Sequence, residues 1–81
     1  MNISSKQEAI EILNNIKSKS YLKIEALFTL MNIADDESLN QIFKILKEDP
    51  CELVRHEAAF CLGEMASNKA IQVLKGTFES D

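Results

Sequence analysis

Sliding the 81-residue sequence along itself produces a match at an offset of 32. Lys23-Ile24-Glu25-Ala26-Leu27-Phe28-Thr29-Leu30 falls on Arg55-His56-Glu57-Ala58-Ala59-Phe60-Cys61-Leu62, with four of the eight positions identical and the leading charge kept. The match continues with Ala34 over Ala66, Leu39 over Ile71 and Ile42 over Leu74. A repeat of this length implies stacked helical hairpins, because one hairpin cannot bury its apolar face alone. Two glycines and one proline are also too few for a turn-rich β fold. The expected fold is all-α: a short α-solenoid of antiparallel hairpins with about five helices.

Apolar spacing and capping residues place the helices. Ser5-Lys6-Gln7-Glu8 has capping-box spacing and precedes the stripe Ala9, Ile10, Ile12, Leu13 and Ile16. A second stripe opens near Ser20 and runs through Leu22, Ala26, Leu27, Leu30, Ile33 and Ala34. After a break at Asp35-Asp36, a third carries Leu39, Ile42, Phe43, Ile45 and Leu46. Asp49-Pro50-Cys51-Glu52 reads as an N-cap, a first-turn proline and a capping-box acid. It opens a fourth helix to about Ala66, and a fifth uses Ala70, Ile71, Val73, Leu74 and Phe78. The chain is thus expected to be one domain, with hairpin units at roughly 4–34 and 36–66 and a final helix at 69–79. Gly63, inside the fourth helix, predicts a close helix approach beside Ala59 and Ala66.

Net charge is −4, which argues against the basic surface that grips nucleic acid. The charge is uneven: residues 1–34 sum to +1 and residues 35–81 to −5. No apolar run approaches the roughly 18 residues of a membrane span, and the N-terminus lacks a secretory pattern. Cys51 and Cys61, ten residues apart on one expected helix, would lie about 15 Å apart, too far for a disulfide. Free thiols point to a reducing compartment, and cytoplasm is the expected location. Gly-rich phosphate loops, paired-cysteine metal motifs and nucleophile elbows are absent.

The pattern [Lys/Arg]-x-Glu-Ala-x-x-x-Leu, with Gly63 next in the second copy, resembles the short HEAT-like repeats of phycobilisome-lyase-like proteins and of deoxyhypusine hydroxylase. Leu53-Val54-Arg55-His56-Glu57-Ala58-Ala59-Phe60-Cys61-Leu62-Gly63 is closer still to one unit of the hydroxylase. In that family, His-Glu pairs on successive repeats bind two irons that activate oxygen to hydroxylate a modified lysine. The resemblance carries a metal-ligand role over to His56 and Glu57 alone. At the same place in the preceding repeat stand Ile24 and Glu25, and His56 is the sole histidine of the chain. The family uses four such pairs.

Two functional readings follow. The leading one is a protein-interaction or scaffold module, without enzymatic activity or cofactor, whose face includes Lys23, Glu25, Met31, Arg55, His56, Glu57 and Glu64. Its partners are an unidentified protein and a second copy in a homodimer, with neither nucleic acid nor membrane. The alternative is an iron-dependent hydroxylase subunit that needs other chains to complete its site. A chromophore-lyase-like accessory role has only the repeat type behind it. Ion pairs between stacked helices, Lys23 to Glu57 or Arg55 to Glu25, are expected to hold the repeats in register.

Overall fold

The computed structural model describes residues 5–79, with side chains to residue 76. Four helices make up the described residues: α1 (Lys6–Asn14), α2 (Ser20–Ile33), α3 (Asp36–Glu48) and α4 (Glu52–Glu79). α1 packs on α2 and α3 on α4, giving two hairpins, and α2 lies against α4 to stack them. The Phe78 side chain, assigned to the fifth apolar stripe by the sequence, lies outside what is described.

Local sequence explains where α1 and α3 begin, whereas α2 starts from Lys19 without a side-chain cap. Ser5 Oγ accepts the Glu8 amide at 3.1 Å, which is half of the expected capping box. Asp35 Oδ1 accepts the Ser38 amide at 2.8 Å and caps α3. Between α2 and Asp35, Ala34 takes the left-handed conformation at φ 57° and sends its amide to Leu30 O. A non-glycine residue there costs about 1–2 kcal/mol, so the turn is held against its own backbone preference. Lys6 Nζ reaches Asp35 and Glu37 at 2.8 Å each and ties the start of α1 to the start of α3. These contacts hold the Asp35 carboxyl well below the usual carboxylate range, the Lys6 hydrogen bond being the largest cause.

The core follows the repeat. Ala26 and Ala58, which share a repeat position, are both fully buried. Leu27, Leu30, Ile42, Val54 and Cys61 complete the fully buried set with Ala9. On α4, Val54, Ala58 and Cys61 follow one another at four and three residues, the spacing of a single buried face. The repeat-related Phe28 and Phe60 meet edge to face, with centroids 6.4 Å apart and planes at 83°. That geometry adds about 0.5–1.5 kcal/mol beyond simple burial.

Three expectations are corrected. Lys23 was assigned to an exposed face and paired with Glu57, but it is buried and bonds Asp49 Oδ2 at 2.7 Å. Asp49 ends α3 and lies beneath α2, so it reaches both repeat-related cations: Arg55 donates to its backbone oxygen at 2.6 Å. Asp49 is consequently the last cap of α3 rather than the first of α4, and its Oδ1 takes the Cys51 amide at 2.9 Å. Second, the expected fourth and fifth helices form one continuous helix of 28 residues, because residues 66–69 contain neither glycine nor proline to stop it. Third, Gly63 is exposed and a Cβ there would meet nothing within 4 Å, so it mediates no close helix approach.

Removing one partner of a buried pair strands the other charge and costs about 3–5 kcal/mol. Lys23→Met and Asp49→Asn are each expected to lower the unfolding free energy by that order in urea titration, and the double variant by less than their sum. Losses below about 1 kcal/mol for both single variants would show the pair to be incidental.

Candidate functional site

The first turns of α4 bring together most of the chemistry-bearing side chains. The helix opens as the Arg55 amide bonds Cys51 O at 3.0 Å. Cys51 Sγ accepts a hydrogen bond from Ser20 Oγ at 3.4 Å, and the amides of Val54 and Leu53 also point to it. These donors, Ser20 first, pull the thiol below its ordinary value, while partial burial and, less strongly, the nearby Asp49 charge oppose them. The Arg55 side chain is drawn back to Asp49 O, which leaves it half-buried and anchored rather than free to bind.

His56 and Glu57 follow directly. His56 is exposed and Glu57 half-buried. Adjacent helix positions diverge by about 100°, so the two side chains leave α4 in different directions. Glu57 lies one turn before Cys61 on the helix. Burial, with smaller contributions from Glu57 and Glu64, pushes the Cys61 thiol up to about 11. Both cysteines are free, Cys51 half-buried and Cys61 buried.

The other residues assigned to the interaction face are dispersed by burial. Glu25 and Glu64 are exposed. Met31 is half-buried and packs against the core while lining a groove. Lys23 is withdrawn altogether by Asp49. Among the described residues, no group of three or more His, Cys, Asp or Glu side chains could hold a metal ion. One imidazole and one carboxylate do not make a di-iron centre, so a single chain does not fit that group.

Two features escaped the sequence reading. One is Asp49, whose role depends on Lys23, 26 residues earlier, and on Arg55, six residues later. The other is a groove of about 510 Å³ between the α2–α3 turn and α4, lined by Met31, Asp36, Leu39, Leu62, Met65 and Lys69 among others. Leu39 and Leu62 line it, while their repeat counterparts Ile71 and Leu30 are exposed and fully buried respectively, so the repeat alone could not reveal it.

A model of HEAT repeats matches residues 7–81. The chain belongs to the HEAT-repeat family. It is similar to deoxyhypusine hydroxylase of Drosophila pseudoobscura pseudoobscura, 38% identical over 72 residues, covering 84% of this chain and 24% of the relative. The Xenopus laevis enzyme is 41% identical over 54 residues, 67% of this chain and 18% of the relative. The Plasmodium vivax enzyme is 32% identical over 80 residues, 98% of this chain and 23% of the relative. The chain therefore spans less than a quarter of these relatives' length. No solved structure matches.

These relatives correct the expectation of a non-enzymatic module without a cofactor, since each is named for an enzyme. That expectation rested on the histidine missing beside Glu25. The missing ligand shows that one chain cannot complete a site, and it says nothing about the kind of protein the repeat belongs to. No helix among the described residues is long and apolar enough to cross a membrane.

The two thiols should separate cleanly under alkylation. Iodoacetamide is expected to modify Cys51 in the folded protein and to reach Cys61 only after unfolding, as read by peptide mass spectrometry. Equal rates in the folded state would contradict the burial of Cys61.

Proposed function

We propose that this chain is a HEAT-repeat piece of an iron-dependent hydroxylase of the deoxyhypusine hydroxylase type, contributing His56 and Glu57 as one ligand pair to a site that other chains complete. The observation that carries the proposal is the similarity to those enzymes, which for the Plasmodium relative spans 98% of the chain and so includes residues 56 and 57. The donor chemistry agrees, because neutral imidazole and carboxylate both suit non-haem iron. Iron bound there would supply oxygen activation for hydroxylating a lysine-derived side chain.

The chain's own residues have definable tasks in this reading. His56 is already exposed, so its imidazole can meet an ion shared with another chain without disturbing the core. Glu57 is half-buried and its backbone belongs to the turn that Arg55 and Asp49 fix, which gives the carboxylate a defined origin. Glu64 follows Glu57 by seven residues and so lies on the same side of α4, extending an acidic strip toward the incoming chain. Glu25 at the preceding repeat marks where a partner's imidazole would be needed, since Ile24 supplies none.

Metal analysis of the assembled protein, purified without oxygen and supplied with ferrous iron, tests this directly. Retained iron that falls at least tenfold in both His56→Ala and Glu57→Ala is expected, with helicity unchanged because His56 packs against little. Retention unaffected by His56→Ala, or no iron retained by the assembled protein, would overturn the proposal.

A further inference from the structure

The buried face of α4 does not continue along its length. Val54, Ala58 and Cys61 are fully buried and Met65 is half-buried, at intervals of four, three and four residues. Extending that face brings up Lys69, Gln72 and Gly76, none of them suited to a core. Asn68, Lys69 and Gln72 instead form a polar wall of the groove beside Leu39. Ile71 and Leu74 are 60% and 58% exposed, and at about 100° per residue they lie more than about 100° round the helix from the buried face. The arm beyond Ala66 is therefore amphipathic, with its apolar side in water, while the backbone runs on as helix.

The same junction occurs one repeat earlier, and there the chain turns. Ala34 takes the left-handed conformation, and Asp35 caps the next helix by accepting the Ser38 amide. The counterparts 32 residues later are Ala66, Ser67 and Ala70, and serine is as good an N-cap as aspartate. What differs is the lock. Lys6 bridges Asp35 and Glu37 and holds the first turn against the strain at Ala34. At the second junction Ser38 stands in place of Lys6, and Ser67 and Lys69 in place of Asp35 and Glu37, so no such bridge can form. A turn at Ala66 is thus permitted by its cap but not locked, and the continuous helix avoids its strain.

We infer that residues 66–68 are a hinge, and that the arm from Lys69 exchanges between the straight form and one folded back along α4 as the first helix of a third unit. Ile71 and Leu74 hold the repeat places of Leu39 and Ile42, and Ile42 is fully buried. Folding back takes Ile71 and Leu74 out of water and turns the opposite side of the arm, with Lys69 and Gln72, outward. Burial of apolar surface then opposes the strain of the turn, which is the balance a two-state element needs. A polar outer face is also what the end of a repeat stack requires. The folded arm caps the stack, and the straight arm leaves its end open to another helix. This inference rests on helix phase and repeat register, and holds or fails independently of iron.

Spin-label distances in the full chain test it. In a Cys51→Ser background, labels at Glu52→Cys and Lys75→Cys lie about 35 Å apart along an unbroken helix, and less than about 20 Å apart once the arm folds back. Cys61 is buried and stays unlabelled. Both distances are expected with the arm otherwise unaltered. Asn68→Pro puts proline at the first position of the new helix and disfavours helix at Ser67, so the short population is expected to rise roughly fivefold or more. Leu74→Asp, on an already exposed residue, is expected to lower it roughly fivefold or more, because the charge cannot be buried. The long distance alone in the unaltered arm would overturn the inference, as would a short population unmoved by Asn68→Pro or by Leu74→Asp. A short distance that disappears when the labelled chain is diluted into unlabelled chain would arise between two copies, and would equally overturn it.

Discussion

Asp49 is a buried carboxylate at the one place where α2, α3 and α4 converge. Its two oxygens and its carbonyl are each committed: Oδ2 to Lys23, Oδ1 to the Cys51 amide, and the backbone oxygen to Arg55. Burying a charge is costly unless it is paired and hydrogen-bonded, so these partners must be present together for the junction to form. The pair therefore acts on register as much as on stability. It binds the second helix of one hairpin to the loop of the next, and fixes where α4 begins. Everything assigned a chemical role at the start of α4, from Cys51 just before it to Glu57, inherits its position from that loop.

The apolar core is modest beside this constraint. Its fully buried residues are mostly small or single aliphatic side chains, spread over four helices. Small domains bury a limited fraction of their surface, and a HEAT stack relieves this by adding neighbours. Here the stack is open past α3 and α4, where Ile71 and Leu74 face solvent and no described residue fills the groove beside Leu39. The extended second half of α4 contributes to a molecule 52 Å long and only 24 by 18 Å across.

Much of this was legible in the residues. The 32-residue offset predicts two stacked hairpins, and the Phe28–Phe60 contact and the shared burial of Ala26 and Ala58 are its physical counterpart. Ser5 and Asp35 announce helix starts because their side chains serve donors only three residues away. Lys23 was misread because a charged residue on a helix is ordinarily solvated, and its burial depends on a carboxylate 26 residues distant. The fusion of the last two helices was hidden for a different reason. The apolar residues divide into two stripes around residues 66–69, which reads as a break, but the local chain, without glycine or proline, has no device that obliges the backbone to turn.

The functional account joins a repeat that the sequence displays to an enzyme family that comparison supplies, and its chemical commitment is to His56 and Glu57, of which His56 is the more readily observed. As the sole histidine, it gives one unambiguous pair of imidazole ring-nitrogen signals, Nδ1 and Nε2, in a nitrogen-15 nuclear magnetic resonance spectrum of the assembled protein. Titrating ferrous iron into that sample is the most direct test. The account predicts that the imidazole resonance broadens or shifts as iron is added, while the amide signals of α1, on the opposite hairpin, stay in place. An imidazole signal unchanged at saturating iron would contradict it.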